Sequence, residues 1–336
     1  MLTRRLGKSN IKVSGLGMGC WAIGGPFKGK NGQYLAYGNV NDNESIQTIH
    51  KALELGVNFF DTAEVYGING RSEEVLGEAL KDKRENVVIA TKFSTVHDDT
   101  KETTPNIKTI REKLYNAVNG SLERLKTNYI DIYQLHNAVQ QPKSALVIRE
   151  VLEELVDDGK ILYYGWSTDD ANRAKEFAGG KHCTAMQYVL NLTRSNTPMS
   201  ELCKNADMAG IIRQPLQSGI LTGKYTPNTK RTANHMLGSY DFTQERYLKI
   251  FKALNQLKEL IKDDKSSLTQ IALRYIWSKD QRSIPIPGAK TVKQIELNTD
   301  ALNFGPLSNQ LTKEIDLIFR DIRQDISYET FTYYKK

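Results

Sequence analysis

The sequence contains no run that approaches the roughly 18 consecutive apolar residues of a membrane-spanning helix. Its first residues, Met1 to Leu6, lead directly into Gly, Lys, Ser and Asn, and not into the apolar segment of a secretion signal. These two absences argue against an integral membrane protein and against a secreted one. We therefore expect a soluble, cytoplasmic protein.

Cysteine is scarce, with three residues that lie far apart and form no C-x-x-C pair: Cys20, Cys183 and Cys203. An odd number of unpaired cysteines is not typical of a disulfide framework, and their spacing is not that of a zinc site. The sequence therefore predicts three free thiols and no metal site.

Long basic tracts are also absent. The chain has 46 Lys and Arg residues and 39 Asp and Glu residues, so its net charge is only +7. This charge is spread along the chain. The densest basic clusters, residues 81–84 and 230–231, are short and carry no interleaved aromatic residues, which disfavours nucleic-acid binding. A modest positive field of this kind suits a phosphorylated cofactor.

No linker or low-complexity tract divides the 336 residues, which indicates one domain over residues 1–336. Short apolar runs alternate with amphipathic stretches, a pattern typical of parallel strands joined by helices. The predicted strands are residues 13–20, 57–62, 87–93, 130–136, 161–167, 183–191, 210–216 and 283–287. The predicted helices are residues 43–55, 72–80, 106–125, 144–158, 170–178, 199–206, 242–262, 267–278 and 292–302.

Eight strand-helix units predict a single-domain (β/α)8 TIM barrel, with an N-terminal β-hairpin over residues 2–13 that closes its bottom and with extra C-terminal helices. An open, doubly wound sheet is the alternative, because a strand count alone does not close a barrel. However, no strand is followed by the G-x-G-x-x-G fingerprint of that fold.

Polar residues stand at or just after the ends of three otherwise apolar strands, where a barrel builds its active site. They are Asp61, Lys92 and His136, and Tyr66 follows Asp61 closely. A tyrosine can deliver a proton to a carbonyl oxygen if a nearby ammonium lowers its pKa. In this hypothesis Lys92 supplies the charge, Asp61 holds Lys92, and His136 donates a hydrogen bond to the carbonyl.

The hydride for such a reduction has to come from a cofactor, because no side chain supplies one. Taken singly, each residue also has a purely structural interpretation. Asp61 and Lys92 are then a buried ion pair, His136 is a core histidine, and Tyr66 is a surface aromatic residue.

Three segments, residues 61–67 (DTAEVYG), 165–167 (GWS) and 284–288 (IPIPG), give the chain a sequence that resembles the aldo-keto reductases. Residues 219–225 (GILTGKY) are similar to the bacterial and archaeal branch near the potassium-channel β subunits. The resemblance implies that the four strand-end residues are a catalytic tetrad. It also implies an NADP(H)-dependent enzyme that reduces an aldehyde or ketone, with sugar-type carbonyl compounds included. Trp21 would lie beside Tyr66 and His136 at the substrate.

The resemblance assigns cofactor contacts as well, with NADP(H) favoured over NAD(H). Ser167 and Gln187 would bind the nicotinamide carboxamide, and Lys290 would face a 2′-phosphate. The remaining implied contacts are Leu216, Gln217, Gly219 and Lys224 at the pyrophosphate, and Gly288, Gln294 and Asn298 at the adenosine end.

Three residues depart from the family pattern: Thr168 replaces a usual Asn, Leu297 a usual acidic residue, and Arg213 an aromatic residue that stacks on the nicotinamide. We expect the planar guanidinium of Arg213 to stack in its place. The alternative is that Arg213 turns away to pair with an acidic loop residue or a phosphate.

Two other functions stay open at this point: a redox-sensing or regulatory subunit that binds NADP(H) with little turnover, and a cofactor-free barrel enzyme for phosphorylated substrates.

The expected partner is a small carbonyl compound, with no nucleic acid and no membrane, and a homo-oligomer is possible. We expect the substrate pocket to be shaped by the loops after strands one, four and seven and by the tail at residues 328–336.

Overall fold

A computed structural model describes residues 2–29, 32–101 and 104–325. Its strands are β1 (Thr3–Arg5), β2 (Lys12–Ser14), β3 (Met18–Gly19), β4 (Phe59–Asp61), β5 (Val88–Phe93), β6 (Ile130–Leu135), β7 (Ile161–Ser167), β8 (Cys183–Val189), β9 (Arg194–Ser195), β10 (Ala209–Arg213), β11 (Ser283–Pro285) and β12 (Gln324–Asp325). Its α-helices are α1 (Asp42–Glu54), α2 (Arg71–Leu80), α3 (Ile107–Leu125), α4 (Pro142–Asp157), α5 (Ala171–Phe177), α6 (Thr197–Asn205), α7 (Glu245–Leu260), α8 (Leu268–Lys279), α9 (Val292–Phe304) and α10 (Asn309–Phe319).

Eight parallel strands form the central sheet in the order β3-β4-β5-β6-β7-β8-β10-β11. The two edge strands meet, because the amides of Gly17 and Gly19 donate to the carbonyls of Pro285 and Pro287 at 3.0 and 3.1 Å. The predicted (β/α)8 barrel is therefore confirmed, and the open doubly wound sheet is not formed.

The predicted N-terminal hairpin is also present, as β1 paired antiparallel with β2. Leu6 and Val13 from this hairpin are buried against Phe59, Ile132 and other strand residues inside the barrel. The hairpin thus caps one end of the barrel interior, which leaves the carboxyl ends of the strands for the site.

Side-chain caps explain where many helices start. The side-chain oxygen of the residue before α1, α3, α5, α6, α8, α9 and α10 accepts a hydrogen bond from a backbone amide in the first turn. Each such cap stabilises a helix by about 0.5 to 2 kcal/mol. In the part of the chain that is described, every helix is too short or too polar to cross a membrane.

Most predicted strands end within two residues of the observed bounds, and two depart in a way that has a visible cause. Residues 13–20 are not one strand, because the amide of Gly15 turns back to the carbonyl of Leu2 and splits the segment between the hairpin and the barrel. The seventh barrel strand ends at Arg213 and not at residue 216, because Gln214 adopts a left-handed conformation with φ of 54°.

Candidate active site

Adjacent strands of the barrel bring the four predicted catalytic residues together. Asp61 ends β4, Lys92 lies in β5, and His136 follows β6 directly. These three strands are neighbours in the sheet, so their carboxyl ends lie side by side. Tyr66 reaches the same place from the turn after β4.

The Lys92 ammonium is completely buried and has an oxygen partner for each of its three protons. It donates to Asp61 Oδ1 at 2.6 Å, to the Thr62 carbonyl at 2.7 Å and to the Tyr66 hydroxyl at 3.2 Å. The first two contacts fix the ammonium, and the third directs positive charge at the phenol oxygen.

The second oxygen of Asp61 is held by two buried glutamines. Gln187 Nε2 donates to Asp61 Oδ2 at 2.7 Å, and Gln134 Nε2 donates to the same atom at 3.1 Å. Asp61 is only 2% exposed, so these donors replace the water that an exposed carboxylate would bind. Gln187, predicted to bind the cofactor, therefore also contacts Asp61, a predicted catalytic residue.

The electrostatics of the site follow from burial and from Lys92. Burial raises the pKa of the Tyr66 phenol, and the adjacent Lys92 ammonium opposes that rise. Burial lowers the pKa of Lys92, but Asp61 and Tyr66 outweigh it, so the pKa of Lys92 is raised overall and the group is a cation. Burial and the charges of Lys92 and Arg213 lower the pKa of His136 to about 3, so the imidazole is neutral.

Aromatic rings continue the site outward from the tetrad. The ring of His136 lies edge-on to the ring of Tyr66, with 5.8 Å between the ring centroids. The ring of Trp21 stacks on the ring of Tyr66, also with 5.8 Å between the centroids. Trp21 is in turn 5.7 Å from Tyr37, whose ring is 5.5 Å from His235. Trp21 thus lies where the resemblance places a substrate contact.

This arrangement has the geometry of a proton donor with an adjacent cation and a neutral hydrogen-bond donor. The Asp61–Lys92 contact is a buried ion pair, as the structural interpretation of these residues states. The pair does more than pack, however, because Lys92 also contacts the Tyr66 oxygen and His136 contacts the Tyr66 ring. A carbonyl oxygen placed between Tyr66 and His136 would meet both donors.

Ser167 and Gln187 are direct neighbours across β7 and β8, as a shared carboxamide contact requires. Thr168 is the first departure from the family pattern. Its hydroxyl donates a hydrogen bond to the Ala138 carbonyl at 2.8 Å. The carboxamide contacts of Ser167 and Gln187 stay a prediction.

Arg213 forms an ion pair with Asp169, the contact that the alternative interpretation expects. Asp169 is nearly buried, and its other oxygen accepts a hydrogen bond from the Val189 amide at 2.7 Å. The guanidinium nevertheless stays close enough to lower the pKa of His136 and to oppose the rise at Tyr66. Stacking of Arg213 on a nicotinamide stays a prediction.

The turn after β10 has an unusual backbone. Gln217, Ser218 and Gly219 follow one another with positive φ, at 46°, 56° and 86°. The positive φ of Gly219 favours glycine, and a Cβ there would come within 2.7 Å of Lys224 Nζ, so the end of the lysine side chain would have to shift. This compact turn with Lys224 beside it and Leu216 at its start is where the resemblance places the pyrophosphate.

Three cations gather beside this turn: Lys224, Arg231 and Lys290. Burial lowers the pKa of Lys224, and the charges of Arg231 and Lys290 lower it further. Within the described ranges none of the three forms an ion pair with a carboxylate. Lys290 instead donates to the carbonyls of Tyr37 and Asn39 at 2.8 and 3.1 Å.

The implied adenosine end lies around the start of α9. Gly288 bridges to Gly19 in the barrel, Gln294 accepts from the Lys290 amide at 2.8 Å, and Leu297 is 40% exposed. Asn298 is buried, and its Nδ2 has no hydrogen-bond partner in the described chain. A buried amide nitrogen without a hydrogen-bond partner is uncommon, and at this position it leaves a donor for a ligand.

The structure adds three residues that the sequence interpretation missed, namely Gln134, Asp169 and Arg231. Gln134 had a usable signal, since it is a polar residue within a buried strand, two positions before His136. Asp169 and Arg231 come from loops and carried no comparable signal. The tail at residues 328–336, predicted to shape the pocket, lies outside the described residues.

Comparison with known proteins identifies the family of this chain. The profile of the aldo/keto reductase family matches residues 15–319. A probable voltage-gated potassium channel subunit beta from Oryza sativa is 30% identical over 94% of both chains. The NADH-specific methylglyoxal reductase of Escherichia coli is 30% identical over 89% of this chain and 92% of its own.

Among solved structures, the glycerol dehydrogenase of Gluconobacter oxydans superposes with a TM-score of 0.76 at 26% identity, over 97% of this chain and 98% of that one. The family profile and these relatives cover nearly the whole barrel, including the tetrad and the implied cofactor residues. The chain therefore belongs to the aldo/keto reductase family.

Proposed function

We propose that this protein is an NADP(H)-dependent oxidoreductase that reduces an aldehyde or ketone to the alcohol, with Tyr66 as the proton donor. The observation that carries the proposal is the contact of Lys92 Nζ with the Tyr66 hydroxyl at 3.2 Å, in a pocket where Asp61 fixes Lys92. An ion pair that served stability alone would not need this third contact.

The side chains divide the work as follows. The reduced nicotinamide, when bound, supplies the hydride that reaches the carbonyl carbon. His136 is neutral and donates a hydrogen bond that orients the carbonyl oxygen. Tyr66 gives that oxygen its phenol proton, and Lys92 stabilises the phenolate that is left.

The preference for NADP(H) rests on Lys290, which the resemblance places at the 2′-phosphate that NAD(H) lacks. Lys224 and Arg231 lie close enough to add positive charge, and in the described ranges none of the three cations pairs directly with a carboxylate. The relative named NADH-specific methylglyoxal reductase makes this preference a point for measurement. We therefore propose NADP(H) first and NAD(H) second.

Steady-state turnover tests the proposal directly. The protein would be assayed with NADPH and with NADH against methylglyoxal, glyceraldehyde, dihydroxyacetone and an aromatic aldehyde. We expect repeated oxidation of NADPH with at least one carbonyl compound, and a kcat lower by on the order of 10² or more in Tyr66→Phe. An unchanged kcat in Tyr66→Phe, with chemistry rate-limiting, would reject Tyr66 as the donor.

A second candidate is a nicotinamide-binding sensor or regulatory subunit, which the similarity to a probable channel subunit favours. Such a protein would bind NADPH but oxidise it at most about once per active site. A single stoichiometric burst across the whole panel, with no further consumption, would support the sensor over the enzyme.

A further inference from the structure

Two glutamines form a buried bridge behind the catalytic aspartate. Gln134 and Gln187 are 0% and 1% exposed. Both donate to Asp61 Oδ2, and Gln187 Nε2 also lies 3.3 Å from Gln134 Oε1. Three side chains from three strands are thus linked with no water between them.

The orientation of both amides follows from Asp61. An ionised carboxylate only accepts hydrogen bonds, so each glutamine has to turn its NH2 group toward Oδ2. The two protons of Gln187 Nε2 are then used by Asp61 and by Gln134 Oε1. Gln187 Oε1 is the atom left for a ligand.

The strand between the two glutamines packs closely at Gly165, which lies in β7 between β6 and β8. Gly165 is the register partner of Gln134, and a Cβ there would lie only 2.4 Å from the Ala185 carbonyl oxygen of β8, so glycine allows this close approach of the two strands. Gln134 and Gln187 bond to each other across this strand.

We propose that Gln134 is a positioning residue of the reaction, which acts through Asp61 and Gln187 and does not touch the substrate. Its amide anchors Asp61 Oδ2, so that Oδ1 stays on Lys92 and Lys92 stays on the Tyr66 oxygen. Its carbonyl also holds Gln187 in the orientation that presents Oε1 to the cofactor. This inference rests on the proposed function, in which Tyr66 is the proton donor.

Substitution at position 134 separates positioning from packing. Gln134→Met keeps the approximate volume but removes the donor, and we expect kcat to fall on the order of tenfold, the effect of one hydrogen bond to a charged group. The Kd of NADPH, from fluorescence titration, should rise only a few-fold. The matched control is Gln270→Met. Gln270 is a buried glutamine in α8, and its Nε2 donates to Asp300 Oδ2 at 2.7 Å. Its replacement should leave kcat unchanged.

Gln134→Glu gives the sharper test, because only a protonated glutamic acid can donate to Asp61. A glutamic acid next to an anion has a raised pKa in the folded state, so its favourable contact is present at low pH and lost as pH rises. We expect kcat of this variant to approach the wild-type value near pH 5 and to fall toward pH 8. Gln270→Glu should lose stability over the same range without this loss of kcat.

Several results would overturn the inference: a wild-type kcat in Gln134→Met, a wild-type pH profile in Gln134→Glu, or equal kcat losses in the position 270 controls. If Gln134→Met fails to fold, the pH dependence of kcat in Gln134→Glu still tests whether position 134 acts as a positioning residue. If the wild type turns over no carbonyl compound, the proposed function fails separately. Urea unfolding and NADPH binding of Gln134→Glu against pH then still show whether position 134 acts on Asp61.

Discussion

Asp61→Asn would leave the Lys92 ammonium buried without its carboxylate, and its effect on stability can be worked out from the structure. The two side chains are 0% and 3% exposed and lie 2.6 Å apart. Breaking such a buried pair by removing one partner costs about 3 to 5 kcal/mol, because the remaining charge has no compensation. We expect the free energy of unfolding at neutral pH to fall by about that amount.

The loss should also depend on pH. In the wild type the pKa of Lys92 is raised, so its stabilising contribution is complete below the ordinary lysine pKa of about 10.4 and is lost only above it. In Asp61→Asn burial acts unopposed by a carboxylate and lowers the pKa of Lys92. The unfolded variant then binds more protons than the folded one, so its stability rises as pH increases toward about 10.

Urea unfolding at neutral pH and near pH 9.5 measures both effects. Asp131→Asn is the matched control, since it breaks the buried pair of Arg84 and Asp131, whose atoms are 2.6 Å apart. An arginine does not release its proton, so the control should lose stability equally at both pH values. A loss in Asp61→Asn that does not shrink with rising pH would show that Lys92 is not held charged by Asp61.

Three further variants test the site. Tyr66→Phe should lower kcat by on the order of 10² or more at unchanged NADPH affinity, measured by steady-state kinetics and fluorescence titration; an unchanged kcat with chemistry rate-limiting would contradict it. Lys290→Met should narrow the difference between the NADPH and NADH binding free energies by about 1 to 3 kcal/mol, and equal wild-type affinities would refute the 2′-phosphate contact. Arg213→Trp should lower the ratio of NADPH to NADP+ affinity, because a cation beside the ring disfavours the oxidised nicotinamide. Arg213→Lys keeps the charge and serves as the control, and a ratio that stays constant in Arg213→Trp would reject the charge effect.

Elements with a regular hydrophobic period could be predicted closely. The predicted helix at 106–125 is α3, which begins one residue later because Asn106 is its cap, and the fifth barrel strand has the predicted bounds. The sequence predicts extra C-terminal helices but places none after residue 302. The signal for α10 was nevertheless present, since Ser308 caps it and Ile315 and Phe319 recur at helical spacing.

Boundaries set by long-range contacts could not be predicted in this way. The break after Ser14 depends on a hydrogen bond to Leu2, and the end of β10 depends on the left-handed Gln214. The partner of Gly15 is not visible in a local window, and the local sequence does not give the conformation of Gln214. The glycines of residues 13–20 and Pro215 were nevertheless signals against one continuous strand in each segment. Closure of the hairpin and the turn after β10 set these two boundaries.

In the candidate site, too, part could be predicted from local sequence and part depends on long-range contacts. A strand-end rule places Asp61, Lys92 and His136 together without any knowledge of their contacts, because parallel strands all end at one rim. Which atom meets which depends on side chains from strands that are not neighbours. Gln187 reaches Asp61 from β8 across the intervening strands, and Arg213 at the end of β10 meets Asp169 in the loop after β7. A glutamine predicted to bind the cofactor therefore also bonds the predicted catalytic carboxylate, and we expect a substitution there to alter both cofactor binding and the charge that acts on Tyr66.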